Sequence, residues 1–285
     1  MGATGAVGAG IAAPVSSPGT RGRRQSPLLQ IRGRLDIRWR VGLAVAGVAA
    51  VLAVWAAAAA LSGGAGAIVP SPLATLKALG ALWSDGTLLP DLWASSKRIL
   101  IGYSISVALG TVIGLAIGTF ASVESFFEAQ VGFLRYIPAS ALTPLFMLWL
   151  GIGESPKIWL IVAGTVFFNI LMIADVARAV PRELLNASYT LGAGRLTVLR
   201  RVVLRHSVPG IIDAARVNLA AAWLMLVVAE LLAAESGLAY EIIRAQRFRA
   251  VDTMFALLIV FGLIGLASDL FLRWLRDVTS PWARA

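Results

Sequence analysis

The sequence predicts an all-α membrane protein of about six transmembrane helices, on three observations. The first is composition: 58% of the 285 residues are hydrophobic, only 14% are charged, and the mean hydropathy is +0.81, where a soluble domain carries about 25% charged residues. The second is a series of apolar stretches long enough to cross a hydrocarbon core of about 30 Å. The third is the way the basic residues cluster between those stretches. The chain has no cysteine and one histidine, His206, so thiolate nucleophiles, disulfide frameworks and Cys- or His-cluster metal sites are all excluded. No catalytic or metal-ligating set is expected. A net charge of +10 would suit nucleic acid, but in a chain this apolar the basic residues read as topology signals, and no nucleic-acid partner is expected.

Residues 1–38, rich in Gly, Ala, Ser, Pro and Arg, read as a disordered basic tail. Residues 41–62 carry no charge and form the first span. A signal peptide is the competing reading, but the apolar run exceeds the usual h-region of about 7–15 residues and starts far from Met1. Segment 63–97 is too broken by Gly and Pro to span. Within it Leu73, Leu76, Leu79, Leu82 and Trp83 recur at helical spacing, which predicts an amphipathic helix over 72–83 on the outer interface. The core, 98–277, holds spans at about 99–121, 131–151, 158–177, 210–233 and 253–274, and 278–285 is a short tail. The span at 131–151 contains Arg135, Pro138 and Pro144. Such breaks are tolerated where protein or water re-satisfies the freed carbonyls, so this span is expected to line an interior. Segment 234–251 reads as an outer re-entrant, gate-like element.

Six spans put both termini on one side. That side then receives the seven arginines from Arg21 to Arg40, Arg135, the six from Arg178 to Arg205, and Arg273, Arg276 and Arg284. The other side receives Lys77, Lys97, Arg98, Lys157, Arg244, Arg247 and Arg249, with Arg216 inside a span. By the positive-inside rule the richer side, with both termini, is cytoplasmic, in a multi-pass protein of the cell membrane with lipid around it.

The connection over 178–209 is longer than two adjacent spans need. Glu183 to Leu191 reads as a short helix after Pro181, Gly192 and Gly194 supply a turn, and a second helix follows. In that helix Leu196, Leu199, Val202 and Val203 share a face, while Arg195, Arg200, Arg201 and Arg205 occupy the others. A protruding helix pair can dock an apolar ridge into a groove of another protein; the alternative is a topology anchor on anionic headgroups.

This loop resembles the cytoplasmic EAA loop of ABC-importer permeases, with Asn186-Ala187-Ser188 at the triplet, Gly192 at the glycine and Val202-Val203-Leu204-Arg205 at the end. It departs in having Asn186 at the acidic position, with Glu183 one turn away, and Arg205 in place of the terminal proline, the next proline being Pro209. LRYIPASALTPLFMLWLGIGESPKIWLI (134–161), AELLAAESGLAYEIIRAQRF (229–248) and FGLIGLASDLFLRWLRD (261–277) are similar to the permeases for nitrate, sulfonate, taurine and bicarbonate, and the likeness in motif order extends over about 90–277. The resemblance implies a type I ABC importer permease fold with a cytoplasmic coupling helix pair. It implies a second copy of the permease, two ABC ATPase subunits and an extracytoplasmic solute-binding protein as partners. It also implies that Glu183, Asn186, Ala187, Ser188, Gly192, Arg195, Leu196, Leu199, Val202 and Leu204 couple to the ATPase. The chain has no GxxxxGK[ST] loop, so it binds no cofactor of its own, and ATP and Mg belong to the partner ATPase.

Polar residues within apolar spans are costly and usually face an interior. Ser140, Thr143, Asn169, Asn218 and Glu230 are the candidates for a substrate pathway. Ser140 and Thr143 could instead bond to their own helix, and Asn169 and Asn218 could tie helices together. Glu230 cannot reach Arg216 along one helix, 14 residues and about 21 Å away, so it is expected to meet another span or to support the outer loop. Asp269 is expected at a helix contact. Arg244, Arg247 and Arg249 could draw anions to an outer vestibule. A secondary transporter or channel is the alternative, and it would need acid or histidine relays of its own. A scaffold without transport leaves the loop and the broken span unexplained.

Overall fold

The computed structural model describes residues 36–63, 68–233 and 235–284, and all regular structure among them is helical. The predicted disordered tail lies outside the described residues except at its end. There helix α1, Ile37–Leu61, begins a few residues before the predicted span. The chain divides into two units, 1–54 and 55–285, and the second holds every element from residue 68 onward.

A helix forms over the predicted segment as α2, Pro72–Ser84. Ser71 caps it, its Oγ accepting from the Ala74 N–H at 3.2 Å, and Pro72 stands at the first helical position, where no N–H is needed. Leu79 and Leu82 of α2 pack with Leu88, Leu238, Leu257 and Val260.

Helix α3, Leu88–Thr119, and helix α6, Glu154–Arg178, lie side by side in the second unit. Small residues at every fourth position of α3, Gly102, Ser106, Gly110, Gly114 and Gly118, let the two backbones approach closely. A β-carbon at Gly114 would stand 2.6 Å from the Ile170 carbonyl oxygen and 3.0 Å from the Ile173 Cβ. Gly114→Leu should therefore destabilise the detergent-purified protein by about 1–3 kcal/mol through overpacking, read as a lower thermal denaturation midpoint. Gly132→Leu, at a position with nothing within 4 Å, should not lower it.

Between α3 and α6 the chain makes two shorter helices, α4 (Ala121–Leu134) and α5 (Thr143–Leu150). A 3-10 turn at Ala139–Leu142 leads into α5, and the two halves meet at 83°. The proline-containing span is thus a broken one, and it starts ten residues earlier than its apolar run suggests. Glu124 and Glu128 interrupt the apolar pattern, but Glu124 is paired with Arg178 of α6 at 2.5 Å. Pro138 lies in the break, and Pro144 falls in the first turn of α5, where the missing donor is harmless.

Helix α7, Arg182–Thr190, follows α6 as predicted. The helix after it does not end. Helix α8 (Arg195–Val198), a π-turn at Leu199–Val203 and helix α9 (Leu204–Ala233) form one run, continuous and apolar enough to cross a membrane over Arg195–Leu232. The second loop helix is thus the beginning of the next span. Helix α10, Leu238–Arg247, and helix α11, Val251–Thr279, complete the chain. Among the described residues five helices are long and apolar enough to span, and six spans result when the bent pair counts as one.

Two ends of this bundle can be told apart. At the loop end lie the 179–194 connection, the end of α3 and the start of α4. At the opposite end lie the starts of α3, α6 and α11 and the end of α9.

Candidate functional site

At the loop end, α7 stops in a tight reversal. The Gly192 N–H donates to the Tyr189 carbonyl at 2.9 Å and the Ala193 N–H to the Ser188 carbonyl at 3.0 Å, with Gly192 at φ +80°. This is the glycine-terminated Schellman pattern, which satisfies the last carbonyls of α7 and needs a left-handed residue at one position. The reversal fixes α7 against α8.

The predicted coupling residues divide in two. Leu199, Val202 and Leu204 turn inward and pack, with Leu185 and Ala193, on Leu115, Ile173, Ala177, Val180, Val198, Val203, Ile211 and Ala214. Leu199 and Val202 flank the buried Val198 and Val203 on a face this chain uses for its own core, while Leu196, expected on that face, is exposed. Glu183, Asn186, Ala187, Arg195 and Leu196 are exposed, and Gly192 is exposed at the tip; Ser188 is half-buried, its Oγ donating to the Leu184 carbonyl at 2.7 Å. Leu184, Tyr189 and Leu191, not singled out from the sequence, are exposed beside them, Leu191 by 87%. With Leu196 they are four exposed apolar side chains along the α7–α8 elbow, which we call its apolar ridge, and α8 runs without a break into α9.

The candidate pathway residues are also sorted. Asn169 and Asn218 face each other, the Asn218 Nδ2 donating to the Asn169 Oδ1 at 2.9 Å and to the Thr165 carbonyl at 3.0 Å. The Asn169 Nδ2 donates to the Ser106 Oγ at 2.9 Å, and the Thr165 and Ser106 hydroxyls share a hydrogen bond at 2.8 Å. All four residues are buried, and the network ties α3, α6 and α9 in the low-dielectric interior, where satisfied polar groups fix one arrangement. The Tyr103 hydroxyl donates to the Ala215 carbonyl and adds a further tie. Thr143 is buried, its Oγ1 donating to the Ser140 carbonyl at 2.8 Å within its own turn. Ser140 alone of the five is on an open face.

Glu230 is 1% exposed and sits in an ionic cluster at the end opposite the loop. Its Oε1 accepts from the Ser95 Oγ at 2.6 Å and from the Arg98 Nη1 at 2.7 Å, and its Oε2 accepts from the Ala239 N–H at 2.9 Å. The Arg98 Nε and Nη2 also grip Glu154 in a two-pronged contact at 2.6 and 2.8 Å, and Lys157 holds Glu154 at 2.8 Å. The Arg98 Nη1 reaches the Ser236 carbonyl at 2.8 Å, while Asp91 accepts from the Gly237 N–H at 2.7 Å and the Ser95 Oγ from the Leu238 N–H at 2.9 Å. Gly237 is required here twice: its φ is +122°, and a β-carbon would stand 2.5 Å from the Glu230 carboxylate. Segment 235–238 and the start of α10 are thereby latched to α3, α6 and α9. The charge pattern predicts the supporting role of Glu230 toward another span but leaves Arg98 as an ordinary loop charge; only the fold brings position 98 to position 230.

A second ionic group joins α9 to α11. Arg216 contacts Asp269 at 3.1 Å and Asp213 at 3.5 Å, Arg273 contacts Asp269 at 2.8 Å, and Arg276 contacts Asp213 at 3.0 Å. Asp269 is at a helix contact, as expected. Arg244 and Arg247 border a cavity of about 340 Å³ with Glu230, Tyr240 and Phe248. Arg244 is exposed, and its hydrogen bond to Glu241 holds the guanidinium more firmly charged than usual.

Residues 106–281 match the family described as "binding-protein-dependent transport system inner membrane component". The chain belongs to this family. The permease is 36% identical over 206 residues to a probable ABC transporter permease protein of Brucella melitensis, covering 72% of this chain and 84% of that one. It is 32% identical over 259 residues to the taurine transport system permease protein TauC of Escherichia coli, covering 87% and 94%. Among solved structures, a chain of the MetNI methionine ABC transporter matches with a TM-score of 0.57 at 20% identity, over 69% of this permease and 97% of that chain. The fold is therefore that of type I ABC importer permeases, and the protein is a multi-pass membrane subunit of such an importer.

Proposed function

We propose that this permease works as a pair of identical chains, passing a small sulfonate, or a similar oxyanion such as nitrate, from an extracytoplasmic binding protein to the cytoplasm. Two ATPase subunits supply the energy; ATP and Mg reside on them, and this chain catalyses no bond change itself. The loop end and both termini are cytoplasmic in this reading, and the latched segment at 235–247 is external.

The observation that carries the proposal is the uncovered ridge of Leu184, Tyr189, Leu191 and Leu196 on α7 and α8, joined to a helix that runs unbroken through Leu232. Leu196 stands on that helix, so force applied there is delivered directly to α9, and force on Leu184, Tyr189 and Leu191 reaches it through the hydrogen-bonded turn at Gly192. A carrier driven by an ion gradient would instead need intramembrane acids free to take up and release cations. Glu230 and Asp269, the two acids placed to serve that role, are each tied to arginines. The sulfonate class rests on the relationship to the taurine permease.

The test is uptake by proteoliposomes holding the permease, its co-purified ATPase and the binding protein, with labelled taurine, ethanesulfonate and nitrate as probes. Uptake of at least one probe that requires enclosed ATP and the binding protein is expected. Uptake driven by an ion gradient without the ATPase would refute the proposal.

A further inference from the structure

The break between α4 and α5 places one arginine at an unusual depth. Val131, one turn before it, packs with Val162, Val166 and Ile170 of α6. Ala139, just after it, lies at Gly164 of α6, where a β-carbon would meet the Ala139 Cβ at 3.4 Å and the Met225 side chain of α9. Gly164 is ten residues from one end of α6 and fourteen from the other, or about 15 and 21 Å at 1.5 Å per residue. Arg135, which the charge pattern alone assigns to the cytoplasmic side, therefore sits near mid-depth in the bundle.

Its surroundings differ from those of five arginines that join the helices of this bundle. Arg98, Arg178, Arg216, Arg273 and Arg276 each contact a carboxylate. Among the described residues no carboxylate contacts Arg135; its Nη2 donates to the Tyr136 hydroxyl at 2.9 Å and its guanidinium lies 4.8 Å from that ring's centroid. Arg135, Tyr136 and Ser140 are all open to the surface of the chain. A guanidinium held at this depth without a counter-charge is costly against lipid, so the face bearing it is turned toward water or the second copy. Arginine's planar fork matches oxygen pairs of sulfonate, nitrate or carboxylate.

We infer that Arg135, steadied by Tyr136 and flanked by the Ser140 hydroxyl, is the mid-membrane contact for the anionic group of the cargo, which supplies there the counter-charge that no described residue of this chain supplies. The inference deepens the proposed function and rests on its anionic cargo. Binding is transient and each copy offers one such fork, so the anion leaves the binding protein for a site it can also leave.

The absence of cysteine makes the test clean. In the assembled transporter in proteoliposomes, Arg135→Gln should lower ATP-dependent uptake of the transported probe at least tenfold, while Arg135→Lys keeps a third or more. Binding-protein-stimulated ATP hydrolysis should stay within twofold in both. Arg135→Cys should be equally poor, and should recover at least fivefold after reaction with 2-aminoethyl methanethiosulfonate, which restores a positive charge, but not with 2-sulfonatoethyl methanethiosulfonate, which adds a negative one. Wild-type protein treated identically is the control. Undiminished uptake by Arg135→Gln, or equal response to the two reagents, would overturn the inference. So would dissociation of the permease pair in Arg135→Gln, which would assign the arginine to a carboxylate of the second copy. If wild-type protein imports none of the three anions, the proposed cargo class fails instead, and the inference falls with it.

Discussion

Arg98→Leu should destabilise the permease by about 3–5 kcal/mol, the usual consequence of removing one partner from a buried ion pair. The guanidinium is almost fully enclosed and its Glu230 partner is wholly so. The leucine leaves a carboxylate facing only the Ser95 hydroxyl and the Ala239 N–H. The expected readout is a marked fall in the thermal denaturation midpoint in detergent, together with new protease cleavage in segment 235–238, whose anchors to Arg98 are lost. The double variant Arg98→Leu/Glu230→Leu removes both charges, and it should recover most of the lost stability because apolar groups of similar volume replace buried pairs at little cost. It should not regain full transport, since the Ala239 N–H loses its acceptor and the start of α10 keeps only its bonds to Asp91 and Ser95. A double variant no more stable than Arg98→Leu would show that the pair is not the source of the effect.

The second large effect concerns the loop end, where two sets of leucine and valine side chains should behave oppositely. Leu191→Ser and Leu196→Ser change exposed positions, so folding and insertion should be unaffected, surface substitutions of this kind staying within about 0.5 kcal/mol. Uptake should nevertheless fall at least tenfold, with ATP hydrolysis no longer stimulated by the loaded binding protein, because the side chains proposed to receive the ATPase have been made polar. Leu199→Ala and Val202→Ala remove side chains packed on the core of this chain. Their main effect should be lower stability, by about 1–3 kcal/mol for partly buried residues, with coupling retained in the fraction that folds. Uncoupling by the second pair and not the first would reverse the assignment of faces.

Much of this fold is legible in the sequence because apolar length and charge placement are properties of single segments. The helices at 72–84 and 182–190 are announced by local signals, Ser71-Pro72 and Pro181 at their starts and Gly192 at the end of the second. What is not legible is set by pairing across the chain. Helix α3 extends back to Leu88 through Asp91, Lys97 and Arg98, and α4 runs through Glu124, because partners far away in sequence satisfy Arg98 and Glu124. The face shared by Leu199, Val202 and Val203 is visible as a periodic pattern, but periodicity does not say whether the cover is another protein or α3 and α6. Asn169 and Asn218 illustrate the same ambiguity: intramembrane amides signal an interior, and here that interior is the contact of three helices. The four-residue spacing of small residues in α3 is a signal of the same local kind, and it explains the close α3–α6 contact.

In the proposed function, transport depends on the α7–α8 elbow facing the cytoplasm and receiving the ATPase there. The most direct measurement uses Ala187→Cys, an exposed position on α7 in a chain otherwise free of cysteine. The variant is co-expressed with the ATPase and treated with a short thiol-to-amine cross-linker in sealed vesicles of known orientation. The expected result is a single product of one permease chain joined to one ATPase subunit, and thiol labelling only from the cytoplasmic face. Labelling from the external face, or assembled complex that yields no permease–ATPase product, would contradict it.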